Sequence, residues 1–447
     1  MNAVYLGTIL LGGVAALDAT PVGQTLLSQP LVTATILGLW WGDLPTALEV
    51  GIVLQILAVS TQPVGARTPE DYATGGVVGA ALALALVTRQ PFLLIREASA
   101  LVGVLAGLVV AMAGAALTRW LRRRNEGCGR WCEAELREGR EEALGAAHRA
   151  GVVLAFALGV KLHGHLVSVW GCGDSRSRAD GIAPAGEGLE PRASAVAGAR
   201  SGADAQCLRA ASAAARRPVR RGAGVRVDRP DRGGSLMSLS ASVLRRMAVR
   251  ASLLQATWNY ERQQGLGWAW SLMPALDHVL PDRADRAARL AEHTAYFNTQ
   301  PTLASVALGV VAGLEEQRAQ GGAVDADQVA RVKGVLGSAL AALGDRLFWF
   351  TLRPFAACVG LLLAVRGSWV GALAMWLVYN LVHLGMRWRG VGWGYRSGPA
   401  VLAEACAQRS SASSIGSRRW ARSSWACSQR CCWCQTASRA RSRSRSC

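Results

Sequence analysis

The sequence predicts an all-α fold: a polytopic membrane protein with broken or re-entrant helices, joined to disordered Arg-rich segments. Apolar residues make up 51% of the chain and its mean hydropathy is positive, which favours membrane helices over one soluble core. Gly and Pro interrupt the apolar stretches at short intervals. Residues 171–236 and 403–447 are instead rich in Arg with Ser, Ala, Gly or Cys and show no helical or strand period, which predicts disorder.

The net charge of +19 is concentrated in the same two stretches. Residues 172–232 hold 12 Arg and 7 acidic residues, and residues 405–447 hold 9 Arg and no acidic residue, so together they supply 14 of the 19 charges. The rest of the chain is mildly basic, as expected for a membrane protein with cationic cytoplasmic loops. We therefore predict no nucleic-acid partner, although the total charge leaves a basic nucleic-acid-binding protein as an alternative.

Composition divides the chain into four segments. Residues 1–170 and 237–402 are apolar and are predicted to be membrane domains, the first of them a partial one. Residues 171–236 and 403–447 are anomalous in composition and are predicted to lie outside any packed domain.

In the first segment, Ala98–Leu117 has the length and composition of a single spanning helix. Small residues recur at every fourth position, which allows a neighbouring helix to approach closely: Gly103, Gly107, Ala111 and Ala115. Four Arg between 119 and 124 follow directly, which places this end in the cytoplasm. Residues 125–149 are polar and helix-prone and are predicted to form a cytoplasmic loop, after which Gly151–Trp170 begins another span.

In the third segment, one long apolar stretch runs from Pro354 to Met386. Arg366, Gly367 and Ser368 lie near its centre, which predicts either two helices joined by a short turn or two half-spanning segments. Arg387 and Arg389 indicate a cytoplasmic end.

Polar residues lie inside the apolar, Gly- and Pro-rich sequence of the first segment, among them Asp18, Gln24, Glu49 and Gln55. A charge at membrane depth costs several kcal/mol, so such residues usually face a cavity or a partner. Amides both donate and accept hydrogen bonds and carboxylates accept strongly, a mixture that suits a polyhydroxylated sugar. Alternatively, these residues cap short helices or bond one another.

Two groups of motifs resemble the mannose-type permeases of the bacterial phosphotransferase system. Gly12–Gln24 and Ser28–Asp43 are similar to the amino-terminal signature of the C component, and Pro63–Ala66 with Pro69 and Asp71 resembles a second patch of it. Further motifs resemble the D component: Gln255–Arg262, His293–Pro301, Lys333, Gly344–Asp345 and Leu352–Pro354.

The chain also departs from that family. Gly337–Ala339 stands where the D component usually carries a Met-Gly-Pro helix break, and Arg346 replaces a small polar residue. The carboxyl-terminal spans expected of the C component are missing, with residues 171–236 in their place. One hypothesis is that shifts of reading frame joined two adjacent genes, which leaves an inactive gene product as another alternative.

The resemblance implies a membrane sugar-translocating component that takes up a hexose while a separate B component phosphorylates it. The implied hexose is mannose, fructose, sorbose or an amino sugar, and the implied location is the bacterial inner (plasma) membrane. Expected partners are the cytoplasmic A and B components and membrane lipid, and we expect an oligomer. The phosphoryl-carrying residue lies on the B component, so no catalytic residue and no cofactor is predicted on this chain.

We predict sugar contacts from both resembling parts: Asp18, Gln24, Glu49, Gln55, His293, Asn298 and Gln300. No metal site is predicted. Cys427, Cys431, Cys432 and Cys434 match no familiar zinc spacing, and His163 and His165 are isolated. The Arg-Ser tail at 437–446 has no RNA-binding domain beside it.

Overall fold

The computed structural model describes residues 3–62, 65–89, 96–171 and 238–401. These residues are mostly helical and contain two isolated β-bridges, which confirms the all-α prediction. The Arg-rich segments 171–236 and 403–447 lie outside the described residues except for Gly171.

The amino-terminal part contains six helices within its described residues, with a polar loop between the first two. The helices are α1 (Ala3–Ala19), α2 (Pro30–Trp41), α3 (Leu44–Ser60), α4 (Tyr72–Arg89), α5 (Arg96–Arg137) and α6 (Glu142–Gly171). Helix α2 begins at a Pro, whose missing N–H costs nothing in the first turn, and Gly42, with a left-handed φ of 81°, caps its carboxyl-terminal end. Asp43 then caps α3 by accepting from Thr46 N.

The carboxyl-terminal part begins with a short amphipathic helix and ends with a long apolar one. Its helices are α7 (Ala241–Ala251), α8 (Gly265–Val279), α9 (Arg283–His293), α10 (Ala304–Ala319), α11 (Ala326–Gly344), α12 (Arg353–Ala364) and α13 (Val370–Ser397). A π-helical segment, Asp345–Leu352, connects α11 to α12 without a break. Residues 3–170 and 239–401 belong to one compact unit.

Three helical stretches within the described residues are long and apolar enough to cross a membrane: Arg96–Arg137, Glu142–Leu166 and Ala326–Ala364. Helix α5 presents an apolar face to the surroundings, with Val109 67% and Met112 68% exposed, and Leu381 on α13 is 82% exposed. Exposed apolar belts of this kind fit a lipid environment, where hydrocarbon replaces water as the solvent.

Helices α4 and α5 pack backbone to backbone through the small residues that the sequence indicated. A Cβ atom added at Gly79 would lie 2.6 Å from Gly103 O, and one added at Gly75 would lie 2.4 Å from Gly107 O. The prediction that Gly103 and Gly107 allow a close helix contact is therefore confirmed.

The segment 125–149, predicted to be helix-prone and to form a cytoplasmic loop, is helical except for a short turn, so its helix-prone character is confirmed and its cytoplasmic location stays a prediction. Helix α5 continues to Arg137, and α6 begins at Glu142 after a short turn. The helix persists because its polar stretch has partners: Asn125 donates to Trp258 O (3.1 Å), and the side chains of Cys132 and Leu136 are buried in the core. Polar sequence here marks a helix packed on the second half of the chain.

The apolar stretch from Pro354 to Met386 forms two helices with a turn at Gly367, whose φ of 77° suits glycine. This confirms the first of the two predicted arrangements. Helix α11 continues through Gly337–Ala339, where the family's break was expected, and the irregularity lies instead in the π-helical segment at 345–352.

Candidate functional site

The polar loop between α1 and α2, residues 20–29, forms the floor of the candidate site. Asp18, at the end of α1, fixes this loop by accepting from Thr25 N (2.7 Å), Thr25 Oγ1 (2.7 Å) and Ser28 N (2.9 Å). These bonds engage both carboxylate oxygens, so Asp18 shapes the loop that carries the other polar groups.

Two residues of the loop adopt the left-handed backbone conformation that non-glycine residues seldom take: Gln24 at φ 55° and Leu26 at φ 63°. Strain of this kind persists only where the surrounding structure imposes it. In this loop the second half of the chain imposes the conformation by holding the backbone of Gly23. Its carbonyl oxygen lies 2.9 Å from His383 Nε2 and accepts from the Arg387 guanidinium (3.0 Å), and its N–H donates to Ser252 O (2.7 Å).

A cavity of about 140 Å³ lies above this loop, and we call it the first cavity. Helices α1, α4, α5 and α6 surround it together with the π-helical segment. Its polar lining combines carboxylates, amides, hydroxyls and two guanidinium groups, including those of Asp18, Gln24, Ser28, Gln29, Glu70, Asp71, Arg122 and Arg353. This mixture of donors and acceptors matches the hydroxyl groups of a sugar.

Glu70 is the most available acceptor in the first cavity. Its Oε2 atom is buried and has no hydrogen-bond partner among the described residues. The neighbouring Asp71 is engaged, because it caps α4 by accepting from Thr74 N (3.2 Å) and Thr74 Oγ1 (2.7 Å). A buried carboxylate oxygen without a partner is costly, so a ligand hydroxyl placed there gains a strong hydrogen bond.

Arg353 connects the wall of the first cavity to the end of α3. Its guanidinium donates to Thr61 O (3.0 Å) and Ala58 O (3.1 Å), and it also reaches Gln29 Oε1 (3.4 Å). Gln55 stands behind Gln29, donates to the same Oε1 atom (3.0 Å) and accepts from Leu31 N (3.2 Å). Gln55 therefore orients Gln29 and is not itself part of the cavity wall.

A second cavity of about 40 Å³ adjoins the first. Amide side chains dominate its polar lining: Gln24, Gln255, Gln264, Asn298 and Gln300. Gln264 and Thr299 fix each other, because Gln264 Nε2 donates to Thr299 O (2.7 Å) and Thr299 N donates to Gln264 Oε1 (3.1 Å). Gln300 Oε1 accepts from Thr302 N (2.7 Å) and Leu303 N (3.1 Å), which starts α10.

Four residues line both cavities and form the junction between them: Thr20, Gln24, Arg122 and Trp349. Gln24 Nε2 donates to Gln255 Oε1 (2.9 Å) across the two halves of the chain. The Arg122 guanidinium lies 4.1 Å from the ring centroid of Trp258 and donates to Thr68 Oγ1 (2.8 Å).

Three of the predicted sugar contacts lie in neither cavity: Glu49, Gln55 and His293. Glu49 forms an ion pair with Arg96 (2.9 Å) at a partly exposed position. His293 is buried behind the second cavity, 3.1 Å from Glu315 Oε1, and Trp268 Nε1 donates to its Nδ1 (3.4 Å). Burial lowers the pKa of His293 more than the neighbouring carboxylate raises it.

The structure thus brings Asp18 and Gln24 to the first cavity. Gln24 also lines the second cavity, together with Asn298 and Gln300. Gln55 lies behind Gln29 and contacts the first cavity only through it. Sequence reasoning did not single out Glu70, Arg122, Trp349 or Arg353 as site residues. Glu70 lies directly between Pro69 and Asp71, two residues of the recognised patch, and that neighbourhood was the available signal.

Within the described part of the chain, no group of three or more His, Cys, Asp or Glu side chains has the arrangement of a metal site. His163 is buried, with Nδ1 2.7 Å from Gly159 O. Cys427, Cys431, Cys432 and Cys434 lie outside the described residues, as does the Arg-Ser tail at 437–446.

Two family models match the chain, one over each membrane part. The sorbose-specific IIC component of the phosphotransferase system matches residues 2–171, and the mannose/fructose/sorbose family IID component matches residues 238–416.

Curated relatives match the second part. The mannose-specific EIID component of Escherichia coli (strain K12) is 40% identical over 165 residues, which are 37% of this chain and 58% of the relative. The sorbose-specific EIID component of Klebsiella pneumoniae is 38% identical over 35% of this chain and 58% of its own length. The fructose permease IID component of Bacillus subtilis (strain 168) is 31% identical over 36% of this chain and 59% of its own length. The chain therefore spans less than two thirds of these relatives.

A cryo-EM structure of the mannose transporter ManYZ in complex with microcin E492 is 38% identical over 37% of this chain and 61% of that one, with a TM-score of 0.35. Because the two family models cover both membrane parts, the chain belongs to the mannose/fructose/sorbose family of phosphotransferase-system permeases, with IIC-type sequence at 2–171 and IID-type sequence at 238–416.

Proposed function

We propose that this chain is a sugar-translocating membrane component that binds a hexose in the first cavity, for uptake coupled to phosphorylation by a separate B component. The observation that carries the proposal is the composition of that cavity. It lies where IIC-type and IID-type residues meet, it is lined by amides, hydroxyls and carboxylates, and the buried Glu70 Oε2 in it has no partner among the described residues.

The substrate class follows from the relatives, which are named for mannose, sorbose and fructose. We propose Asp18 as the residue that shapes the sugar-binding loop. Gln24, Gln29 and Glu70 are the direct hydrogen-bonding groups. Asn298 and Gln300 belong to the adjoining cavity. For Glu49, Gln55 and His293, direct sugar contact stays a prediction without support from their positions.

The chain is a membrane protein, in keeping with its family and its apolar helices. We place it as a multi-pass protein of the bacterial inner membrane, with the Arg-rich end of the α5 apolar stretch in the cytoplasm. The proposed partners are the cytoplasmic A and B components and further copies of the chain. We propose that the chain has two membrane domains, 1–170 and 237–402, each followed by an Arg-rich segment, 171–236 and 403–447. The family matches do not favour the nucleic-acid alternative.

Glu70→Gln tests the proposal, with Glu49→Gln as its matched control. Isothermal titration of the purified full chain with mannose, fructose and sorbose should show binding of at least one hexose. Glu70→Gln removes a charged acceptor, so it should weaken that binding about 10- to 150-fold, the equivalent of about 1.5–3 kcal/mol. Glu49→Gln should leave the affinity unchanged, because Glu49 is ion-paired outside the cavity, and a loss of affinity in this variant would instead support the sugar contact predicted for Glu49 from the sequence. Failure of the wild-type chain to bind any hexose would support the alternative of an inactive gene product.

A further inference from the structure

His293 is buried at the end of α9 and has both ring nitrogens in hydrogen bonds. Its Nε2 lies 3.1 Å from Glu315 Oε1, and Trp268 Nε1 donates to its Nδ1 (3.4 Å). An indole nitrogen can only donate, so Nδ1 accepts and the proton of the neutral imidazole lies on Nε2, facing Glu315. The two bonds fix the tautomer and the plane of the ring.

The carboxylate beside His293 is itself held in place. Glu315 is fully buried on α10, Arg289 donates to its Oε2, and Arg318 donates to its Oε1 (3.4 Å). A fixed carboxylate that accepts from one imidazole nitrogen orients the other nitrogen toward its own partner. In this protein that partner is the indole N–H of Trp268.

The Trp268 ring connects this pair to the α9–α10 loop, residues 294–303. Trp268 is fully buried, and its ring centroid lies 4.1 Å from that of Phe297 in the loop. Phe297 O accepts from Gln264 N (2.9 Å), and the next residue, Asn298, lines the second cavity. The orientation of Trp268 therefore determines where the loop presents Asn298.

The α9–α10 loop is also tied to the polar loop of the first cavity. Gln300 Nε2 donates to Thr302 Oγ1 (3.3 Å), which lies 2.7 Å from His383 Nδ1. His383 Nε2 donates to Gly23 O (2.9 Å), and the residue after Gly23, Gln24, lines both cavities. A shift of the α9–α10 loop is therefore transmitted to groups that line the first cavity.

We propose that His293 is a positioning residue: it does not touch the sugar, but holds Trp268 and, through Trp268, the α9–α10 loop. Glu315 orients the imidazole, and the lone pair on Nδ1 fixes the indole N–H. His293 lies in neither cavity, which agrees with support from behind and not with direct contact. The expected effect on hexose affinity rests on the proposed function, whereas the bond between His293 and Trp268 does not.

Three substitutions separate the hydrogen bond from packing. His293→Asn keeps an acceptor near the position of Nδ1, whereas His293→Leu keeps a similar volume and removes both bonds. Trp268→Phe removes the donor from the other side and keeps an aromatic ring against Phe297. The matched control is His278→Leu, because His278 is exposed on α8 and lines neither cavity.

The first measurement is the indole ¹⁵N–¹H resonance of Trp268 in the full chain labelled with ¹⁵N-tryptophan, assigned as the signal missing from Trp268→Phe. We expect this resonance to move upfield in His293→Leu, where the donor has no acceptor. It should stay near its wild-type position in His293→Asn and in His278→Leu. The same position in the wild-type chain and in His293→Leu would overturn the assignment.

The second measurement is hexose affinity, by isothermal titration of the full chain with mannose, fructose and sorbose. His293→Leu and Trp268→Phe should each weaken binding about 2- to 12-fold, the equivalent of about 0.5–1.5 kcal/mol for one hydrogen bond. The double variant should bind no more weakly than either single variant, because both remove the same bond. His293→Asn should retain most of the affinity, and His278→Leu all of it.

Two results would overturn the positioning role of His293 and leave the proposed function intact. One is an equal loss of affinity in His293→Leu and His293→Asn, and the other is an additive loss in the double variant. Absence of hexose binding by the wild-type chain would overturn the proposed function instead. The Trp268 resonance would then still decide whether His293 orients the indole.

Discussion

At the scale of single residues, Lys333 shows how one buried cation can position a functional loop. Its ammonium group donates to His293 O (2.9 Å) and Ala295 O (3.4 Å), at the carboxyl-terminal end of α9. It also lies 5.4 Å from the Trp268 ring centroid and 5.6 Å from that of Phe297. The loop that follows α9 carries Asn298 and Gln300 to the second cavity, so Lys333 supports that cavity from behind.

The two lysines of the chain provide a matched comparison. Lys333→Met keeps the apolar length of the side chain and removes the donor, so the buried carbonyl group of His293 and the more exposed one of Ala295 each lose a hydrogen bond. We expect a loss of stability of about 1–3 kcal/mol, seen as a lower midpoint in thermal unfolding of the purified chain followed by tryptophan fluorescence. Lys161 is exposed on α6, so Lys161→Met should leave the midpoint unchanged. Equal midpoints for the two variants would contradict the supporting role of Lys333.

Some site residues could be predicted from the sequence because a single local pattern marks them. Asp18 and Gln24 are polar residues inside an apolar, Gly-rich run, and that pattern is visible without a structure. Arg353 could not be found in this way, because its partners Ala58 and Thr61 are almost 300 positions distant. Only the packing of the two halves brings these groups together. The same pattern also selected Glu49, which the fold turns away from the cavity.

At the scale of helices, close backbone packing and an irregular turn define the walls of the site. Helices α4 and α5 meet at paired glycines, which brings Asp71 and Arg122 to the same cavity. The π-helical segment between α11 and α12 lies on the opposite wall and carries Trp349. The glycine spacing predicted the first feature, because four-residue periodicity is a local signal. The position of the π-helical segment was not predicted, since no residue of 345–352 is a Gly or a Pro.

The helix boundaries were less predictable where polar sequence is stabilised by distant partners. Residues 125–137 are helical because they pack against the second half of the chain, with Asn125 bonded to Trp258 O. A loop is the natural expectation for polar sequence after a membrane span. The partner surface that overrides it lies more than 100 residues away.

Two glycines of α5 test the helix contact directly. Gly103→Ala places a Cβ atom 2.5 Å from Gly79 O, a distance that forces α4 and α5 apart. We expect this variant to be less stable by about 1–3 kcal/mol. Gly127→Ala meets no atom within 4 Å, so it should be neutral or more stable by up to about 1 kcal/mol through its higher helix propensity. Thermal unfolding of both variants checks the contact, and a stable Gly103→Ala protein would argue against it.

At the scale of the whole molecule, the IIC-type and IID-type parts build the site jointly. The loop of α1–α2 belongs to the first part, yet His383, Arg387 and Ser252 of the second part hold its Gly23 backbone. Asn380 adds a bond to Thr25 O (2.7 Å). Because several hydrogen bonds join the two parts, we expect them to unfold together as one cooperative unit. Motifs of both components are visible in the sequence, but their joint construction of one cavity required the packed structure.

The hypothesis of joined reading frames concerns 171–236 and 403–447, which lie outside the described residues apart from Gly171, and it stays a prediction. The site itself is formed by described residues from 16 to 353 and does not include either segment.

We expect a hexose to bind in the first cavity, between the IIC-type and IID-type parts. The most direct measurement is a cryo-EM structure of the full chain with saturating hexose. We expect sugar density in the first cavity, with a hydroxyl within hydrogen-bonding distance of Glu70 Oε2. A hexose bound elsewhere, or a first cavity left without sugar density at a concentration that saturates binding, would contradict sugar binding in the first cavity.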